Sequence, residues 1–246
     1  MSKLQKKVYD SNEFFQYHDN NGKLRACYFP KIPIGQLVHD INTELEKIPF
    51  TRVEYISRFG KRNRTPRKTW AFGHVESDVV TYTKHGHTLR FQTEKMPPFL
   101  KRIGDYCRKT AIHNWGFDPG YNSCIIGRYD NRDDSIGFHF DTETFLAHHF
   151  CANVTIGYSR DFQFRDEDKR IHQVALSDKS LFFFNALEHA LPKRASVKKG
   201  EVRYSISFRN MNKDIGIANS FYYCRGLKGA IDDEDKEDYA RRLATL

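Results

Sequence analysis

From about Asn122 to Arg209 the chain alternates apolar with polar or small residues at a period of two, and this pattern limits the fold more than any other feature. Phe150, Ala152, Val154, Ile156 and Tyr158 fall on one side of an extended segment. Phe162-Gln163-Phe164, Ile171 to Leu176, Leu181 to Phe184 and Val202 to Phe208 follow at short intervals, divided by polar turns at Asp166 to Lys169 and Ser177-Asp178. Short strands joined by polar turns close into a barrel or a sandwich. The 20 Phe and 13 Tyr suit such sheet packing.

Upstream the period is helical. Ile34, Leu37, Val38, Ile41, Leu45 and Ile48 predict one amphipathic helix closed by Pro49, and Phe99, Leu100, Ile103, Tyr106, Cys107 and Ala111 predict a second after Pro97-Pro98. Both are expected to support the core. No repeat or Pro/Gly/Ser-rich linker divides the 246 residues, so one domain is expected. Five scattered cysteines, Cys27, Cys107, Cys124, Cys151 and Cys224, suit reduced thiols in a cytoplasmic or nuclear protein better than a disulfide framework. No apolar run reaches the ~20 residues of a membrane helix, and none follows the charged N-terminus, so the chain is expected to be intracellular, not secreted, with no membrane partner. The acidic run Asp232 to Asp238 reads as a solvated tail or helix face.

His139-Phe140-Asp141 places an imidazole and a carboxylate two residues apart, on the same side of a strand, where they can grip one ion. By itself the triplet is weak, because about one such match is expected by chance in a chain with 11 His. A third ligand is needed, from His148, His149, His172 or His189. His189 fits best, sitting between the apolar strand Leu181 to Phe184 and the strand carrying Arg203 and Arg209. Two His and one carboxylate leave open metal positions, as in non-haem Fe(II) oxygenases. Zinc hydrolysis competes, with Glu143 or Glu188 as its acid or base, so ligand identity leaves the metal open.

The last strand favours the oxygenase. Val202, Tyr204, Ile206 and Phe208 form one face, Arg203, Ser205, Ser207 and Arg209 the other. Two guanidinium groups facing a barrel interior need partners, and a dianion such as 2-oxoglutarate supplies them. The alternative is that they pair with Asp and Glu or face solvent on an edge strand.

The order H-x-D, a distant His followed by Leu191-Pro192, then Arg203 and Arg209 resembles the AlkB family of Fe(II)/2-oxoglutarate dioxygenases. The likeness runs from about Arg58 to Asn210. It includes Arg58-Phe59-Gly60-Lys61, Pro66-Arg67-Lys68, Phe72-Gly73, Thr81-Tyr82-Thr83, Arg128-Tyr129, Ile136 to Asp141, Arg160 to Arg165 and Ser207-Phe208-Arg209, and is greatest to the branch that repairs alkylated bases in duplex DNA. The resemblance implies an α+β, mainly β fold: a double-stranded β-helix, or jelly roll, with supporting N-terminal helices and a substrate-recognition lid. Within one catalytic domain it implies an N-terminal extension at 1–30, the nucleotide-recognition lid at 51–95, the jelly-roll core at 122–211 and a C-terminal segment with the acidic tail at 212–246.

By the same resemblance His139, Asp141 and His189 are the catalytic and metal residues and hold Fe(II). Arg203 binds the distal carboxylate of 2-oxoglutarate, Arg209 sits near its metal-proximal carboxylate, Tyr129 hydrogen-bonds the co-substrate and Ser207 keeps a hydroxyl the family has as threonine. With O2 these cofactors support oxidative dealkylation: an N-alkyl carbon is hydroxylated while 2-oxoglutarate becomes succinate and carbon dioxide, and the product collapses to an aldehyde and the unmodified base. RNA demethylation, or a nucleic-acid-binding module with an impaired oxygenase centre, is the alternative. Gly127 and Ser205 replace two asparagines usual in the family, removing co-substrate hydrogen bonds worth about 0.5 to 1.5 kcal/mol each.

The net charge of +9 is concentrated in two segments. Residues 51–72 and 179–213 each carry +6, which leaves −3 for the remainder. Arg52, Arg58, Lys61, Arg62, Arg64, Arg67 and Lys68, with Tyr55, Phe59 and Trp70 nearby, combine phosphate-binding charge with stacking surface, unless they form only a solvated basic loop. The resemblance makes Phe59, between Arg58 and Gly60, a wedge that fills the gap of an extruded base. It further implies substrate contacts at Arg67, Lys68, Tyr82, Glu143, Lys198 and Lys199. Lys84 and Thr142 depart from the duplex-repair pattern. The expected partner is double-stranded DNA, with single strands or RNA as alternatives, bound by a monomer. His85 and His87 share a strand side but lack a third ligand, and read as surface residues.

Overall fold

The computed structural model describes residues 6–56, 62–73, 79–84, 87–92, 94–141, 150–195, 200–210 and 221–222. In chain order the N-terminal strands are β1 (Lys6–Tyr9), β2 (Phe15–His18) and β3 (Leu24–Phe29), followed by helices α1 (Ile34–Leu37) and α2 (Ile41–Glu46). Strands β4 (Thr51–Ile56), β5 (Arg62–Gly73), β6 (Val79–Lys84), β7 (His87–Gln92) and β8 (Glu94–Lys95) lead to helix α3 (Pro98–Trp115). Then come β9 (Ser123–Tyr129), β10 (Ile136–His139), β11 (Phe150–Gly157), β12 (Arg160–Arg165), β13 (Ile171–Leu176), β14 (Leu181–Asn185), β15 (Glu188–Leu191), β16 (Arg203–Arg209) and β17 (Phe221–Tyr222).

Two sheets make the body. One runs β1-β13-β12-β15-β10; the larger runs β2-β3-β14-β11-β16-β9-β5-β4, with β8 attached to β5. A third sheet, β17-β7-β6, carries Tyr82. The two large sheets face each other across an aromatic core, in which Phe162, Phe164 and Val174 of the smaller meet Tyr28, Phe182 and Phe184 of the larger. This is the jelly-roll arrangement that the resemblance implied, within the barrel-or-sandwich choice left by the alternation. Residues 1–30, read from sequence as an extension, supply β1 to the smaller sheet and β2 and β3 to the larger.

The outer face of the larger sheet is covered by helices. Val154, Ile156, Phe183, Ile206 and Phe208 pack there against Phe99, Leu100, Ile103 and Cys107 of α3. Helix α3 starts with Pro98 in its first turn and stops where Gly116 adopts φ of 63°, as its sequence requires. The first predicted helix is instead two short ones. The Asp40 side chain accepts from Thr43 N and starts a new helix, while Val38 is extended. Ile34, Val38, Ile41, Leu45 and Ile48 are nonetheless all buried, so the apolar spacing identified the core face although one cap interrupts the helix.

Segments 51–56 and 62–73 are also strands, β4 pairing antiparallel with β5, where a basic loop was the competing reading. Successive side chains of a strand point to opposite faces, and Thr69, Trp70, Ala71 and Phe72 are all buried, so this part of β5 is covered on both faces rather than solvated. Cys27, Cys107, Cys124 and Cys151 are buried, and none forms a disulfide among the described residues. Cys224 and the acidic run lie outside the described residues.

Candidate metal and co-substrate site

Strand pairing explains why two histidines fifty positions apart in sequence become neighbours. Strand β15 lies between β10 and β12, with His139 opposite His189 in register. Strand β10 ends at His139, so Asp141 lies just beyond the strand, yet both residues point inward while Phe140 between them is exposed. Ligand atoms of His139, Asp141 and His189 all fall within 4.8 Å of one another, making a group able to hold a metal ion.

Each imidazole is oriented from behind. His139 Nδ1 lies 2.9 Å from Gly137 O and His189 Nδ1 2.8 Å from Leu187 O. A carbonyl only accepts, so each Nδ1 carries the proton and each Nε2 presents a lone pair. Those Nε2 atoms are 3.5 Å and 4.0 Å from the two Asp141 oxygens. The Phe162 ring stacks on His189 and Phe184 packs against it, holding its plane. Burial, with the nearby His139, lowers the His189 pKa to about 3, so the ring is neutral and ready to ligate. Burial alone would raise the Asp141 pKa, but Arg209 and the two imidazoles outweigh it and hold the carboxyl well below the usual range. The charge, tautomers and geometry of this set fit a divalent transition metal.

The larger sheet supplies the other wall. Its strand β16 faces as read from sequence: Tyr204, Ile206 and Phe208 join the helix-covered core, while Arg203, Ser205, Ser207 and Arg209 line a pocket that also reaches His139 and His189. The two arginines differ in what they meet. Arg209 Nη2 bonds Asp141 Oδ2 at 2.6 Å, realising the carboxylate pairing held open above. Arg203 is 1% exposed and only its Nη2 is bonded, to Thr155 Oγ1 at 3.1 Å; Nε and Nη1 have no partner among the described residues. Burial and the cations Arg160 and Arg67 lower its pKa to about 10, against the effect of Tyr129, so it stays charged. A buried cation with two unused donors is an anion site, and it fits a carboxylate.

Tyr129 sits opposite Arg203 in register, its ring between Arg203 and Arg160 at 5.3 Å and 5.2 Å. Arg160 in turn donates to Pro192 O at 2.8 Å, just after the strand that carries His189. Asn153 Nδ2 donates to Ser205 Oγ at 2.6 Å and to Ser207 Oγ at 2.8 Å, fixing the two hydroxyls between the arginines. Asn153 and Thr155 were not singled out from sequence, and Arg160 entered only as the start of the matched stretch Arg160 to Arg165, with no role given. The signal was present in β11, where Asn153 and Thr155 alternate with Ala152, Val154 and Ile156.

Of the other candidates, His172 bonds Tyr9 OH at 2.9 Å and Asp166 Oδ2 at 3.1 Å, a closed set separated from His189 by Phe164 of β12. Glu188 bonds Arg165 and Lys169. Arg52 is paired with buried Asp134 at 2.6 Å and Lys68 with Asp130 at 2.8 Å. Lys193 meets Asp133, and Arg194 meets Tyr158 and Glu201. Arg67 lines the pocket. Arg58, Phe59, Gly60, Lys61, Thr142, Glu143, His148, His149, Lys198, Lys199 and His85 lie outside the described residues; Tyr82 and Lys84 fall on β6 and His87 on β7.

Known proteins agree with this geometry. The family model described as 2OG-Fe(II) oxygenase superfamily matches residues 28–209. DNA oxidative demethylase ALKBH2 of Homo sapiens is 31% identical over 194 residues, covering 70% of this chain and 68% of the relative. The Bos taurus protein of the same name is also 31% identical, with 70% and 64% covered, so the chain spans about two thirds of these relatives. Two solved structures share the fold at low identity. An oxidoreductase of the 2OG-Fe(II) oxygenase family from Burkholderia pseudomallei has a TM-score of 0.53 at 12% identity, covering 76% of this chain and 87% of that one. OsALKBH1 has 0.51 at 11%, covering 80% and 100%. With the matched model running from the end of β3 through β16, and so over both halves of the pocket, the chain belongs to the 2OG-Fe(II) oxygenase superfamily and, within it, to the AlkB family, whose cofactors are Fe(II), 2-oxoglutarate and O2.

Proposed function

We propose that this protein is a DNA dealkylase in which His139, Asp141 and His189 hold Fe(II) while Arg203, Arg209, Tyr129 and Ser207 bind 2-oxoglutarate. One observation carries the reading: Arg203, buried with two donors unused among the described residues, shares a pocket with His139 and His189, the two histidines of the group that also includes Asp141. When bound, Fe(II) with 2-oxoglutarate and O2 supplies the oxidising power that hydroxylates an N-alkyl carbon. The chain's own work is positional. Gly137 O and Leu187 O keep the imidazoles in the ligating tautomer, Arg209 steadies the carboxylate, and the Phe162 ring stacked on His189 holds its plane.

The DNA substrate is taken from the demethylase relatives, and duplex DNA is favoured by the basic residues around β4 and β5 together with Phe59 as a wedge. Arg58, Gly60, Arg67, Lys68, Tyr82, Glu143, Lys198 and Lys199 complete the proposed substrate surface. One chain carries the whole donor set, so a monomer suffices, and a genomic substrate implies action inside the cell. The test is one assay of succinate and formaldehyde release on methylated duplex DNA, single-stranded DNA and RNA. Turnover greatest on duplex DNA, with Phe59→Ala reducing duplex turnover more than single-strand turnover, supports the reading. No succinate on any substrate overturns it, and equal losses on both strand forms remove the wedge.

A further inference from the structure

The pocket is lined by Arg67 as well as Arg203 and Arg209, with no Asp or Glu among its described lining residues. Arg67 lies on β5, two residues before Thr69, which pairs with Gly127 of β9. Gly127 makes the room. A Cβ built at 127 stands 3.3 Å from Arg67 Nε, 3.4 Å from Arg67 Cδ and 3.2 Å from Tyr129 Cε2. A side chain there would crowd both residues, so glycine lets the Arg67 stem pass over the strand beside the Tyr129 ring. On its other edge Gly127 pairs with Ser205 of β16, two residues from Arg203.

Its neighbours on the same hairpin, Arg52 and Lys68, are paired with Asp134 and Asp130. The half-buried Arg67 guanidinium donates to no described residue. It adds positive charge to a pocket that already holds the buried Arg203, whose pKa it helps lower. A dianion in the pocket relieves that repulsion.

We propose that Arg67 is a co-substrate-binding residue: reaching over Gly127, it joins Arg203 in holding the 2-oxoglutarate dianion. The assignment rests on the oxygenase reading above and moves Arg67 from the nucleic-acid surface into the pocket. It also gives Gly127 and Ser205 a role, because two small residues on adjacent strands leave the space that an arginine fills.

The test is 2-oxoglutarate affinity of the Fe(II)-loaded protein without oxygen, read from the metal-to-ligand absorption band, beside duplex affinity of the Mn(II)-loaded protein by fluorescence anisotropy. Arg67→Ala is expected to weaken 2-oxoglutarate binding by about tenfold or more, and Arg67→Lys by less. Gly127→Ala is expected to weaken it as well, and the double variant no further than Arg67→Ala alone. Affinity of Arg67→Ala within about twofold of wild type, with any loss confined to the duplex, overturns the proposal. If the wild type gives no band, or Arg203→Ala binds unchanged, the oxygenase reading falls and this proposal with it.

Discussion

Arg209 Nη2 donates to Asp141 Oδ2 at 2.6 Å, so the last residue of the central strand β16 orients the carboxylate that stands between two imidazoles of the opposite sheet. Removing the cation leaves a buried carboxylate without its strongest compensation. Arg209→Met is expected to cost the metal-free protein about 3–5 kcal/mol. A divalent cation at the triad replaces part of the lost charge, so the cost measured by urea unfolding is expected to be smaller with Mn(II) than with chelator. An equal cost in both conditions would mean that no cation sits against Asp141.

His139→Ala and Asp141→Ala each remove one donor from a three-donor set. Succinate formation is expected to fall to background in both, while duplex affinity measured by anisotropy stays near wild type, because neither side chain faces the outer surface. A parallel loss of duplex binding would place the triad in the nucleic-acid contact.

Gly104 lets α3 approach the larger sheet. A Cβ there stands 3.0 Å and 3.2 Å from two atoms of the Phe208 ring, which is buried in the core next to Arg209. Gly104→Val is expected to lower stability by about 2–3 kcal/mol despite the better helix propensity, and to weaken co-substrate binding by displacing β16. Unfolding and the anaerobic absorption band together check both parts. Stability lost without any change in affinity would show that the strand does not move.

Tyr9 carries strand β1 onto β13 through its bond to His172. Burial, and then Asp166, raise its pKa to about 12. The folded pKa thus lies above the ordinary tyrosine value near ~10, so the neutral phenol adds stability that is complete below that value and declines as pH rises towards 12. Tyr9→Phe is expected to cost about 1 kcal/mol at neutral pH and to flatten the alkaline loss. Urea midpoints at pH 7 and pH 10.5 measure both, and an unchanged alkaline slope would assign the loss to other groups.

Much of the site was legible in the chain order. The alternation of Arg203, Ser205, Ser207 and Arg209 against Tyr204, Ile206 and Phe208 is a local property of an extended backbone, so it survived into the structure unchanged. His139 and Asp141 share a side as their spacing predicts, although Asp141 lies just beyond the end of β10. The helix over 34–48 was less secure, because a side-chain cap at Asp40 competes with apolar spacing on nearly equal terms. Strands β1 and β3 escaped notice because each is short and joins a strand more than a hundred residues away, and β2, which pairs with the neighbouring β3, is only four residues long.

Periodicity and residue type by themselves determined the strand-rich half, the face of the last strand and a His-Asp pair able to chelate, since these depend only on neighbours along the chain. Chain order already favoured His189 as the third ligand; tertiary structure decided that it stands opposite His139 in register, that Arg209 is spent on Asp141 while Arg203 keeps two donors without a partner among the described residues, and that Arg67 enters beside Gly127. Each of these is set by sheet register and by the space between two sheets, and register is fixed by packing across the whole fold.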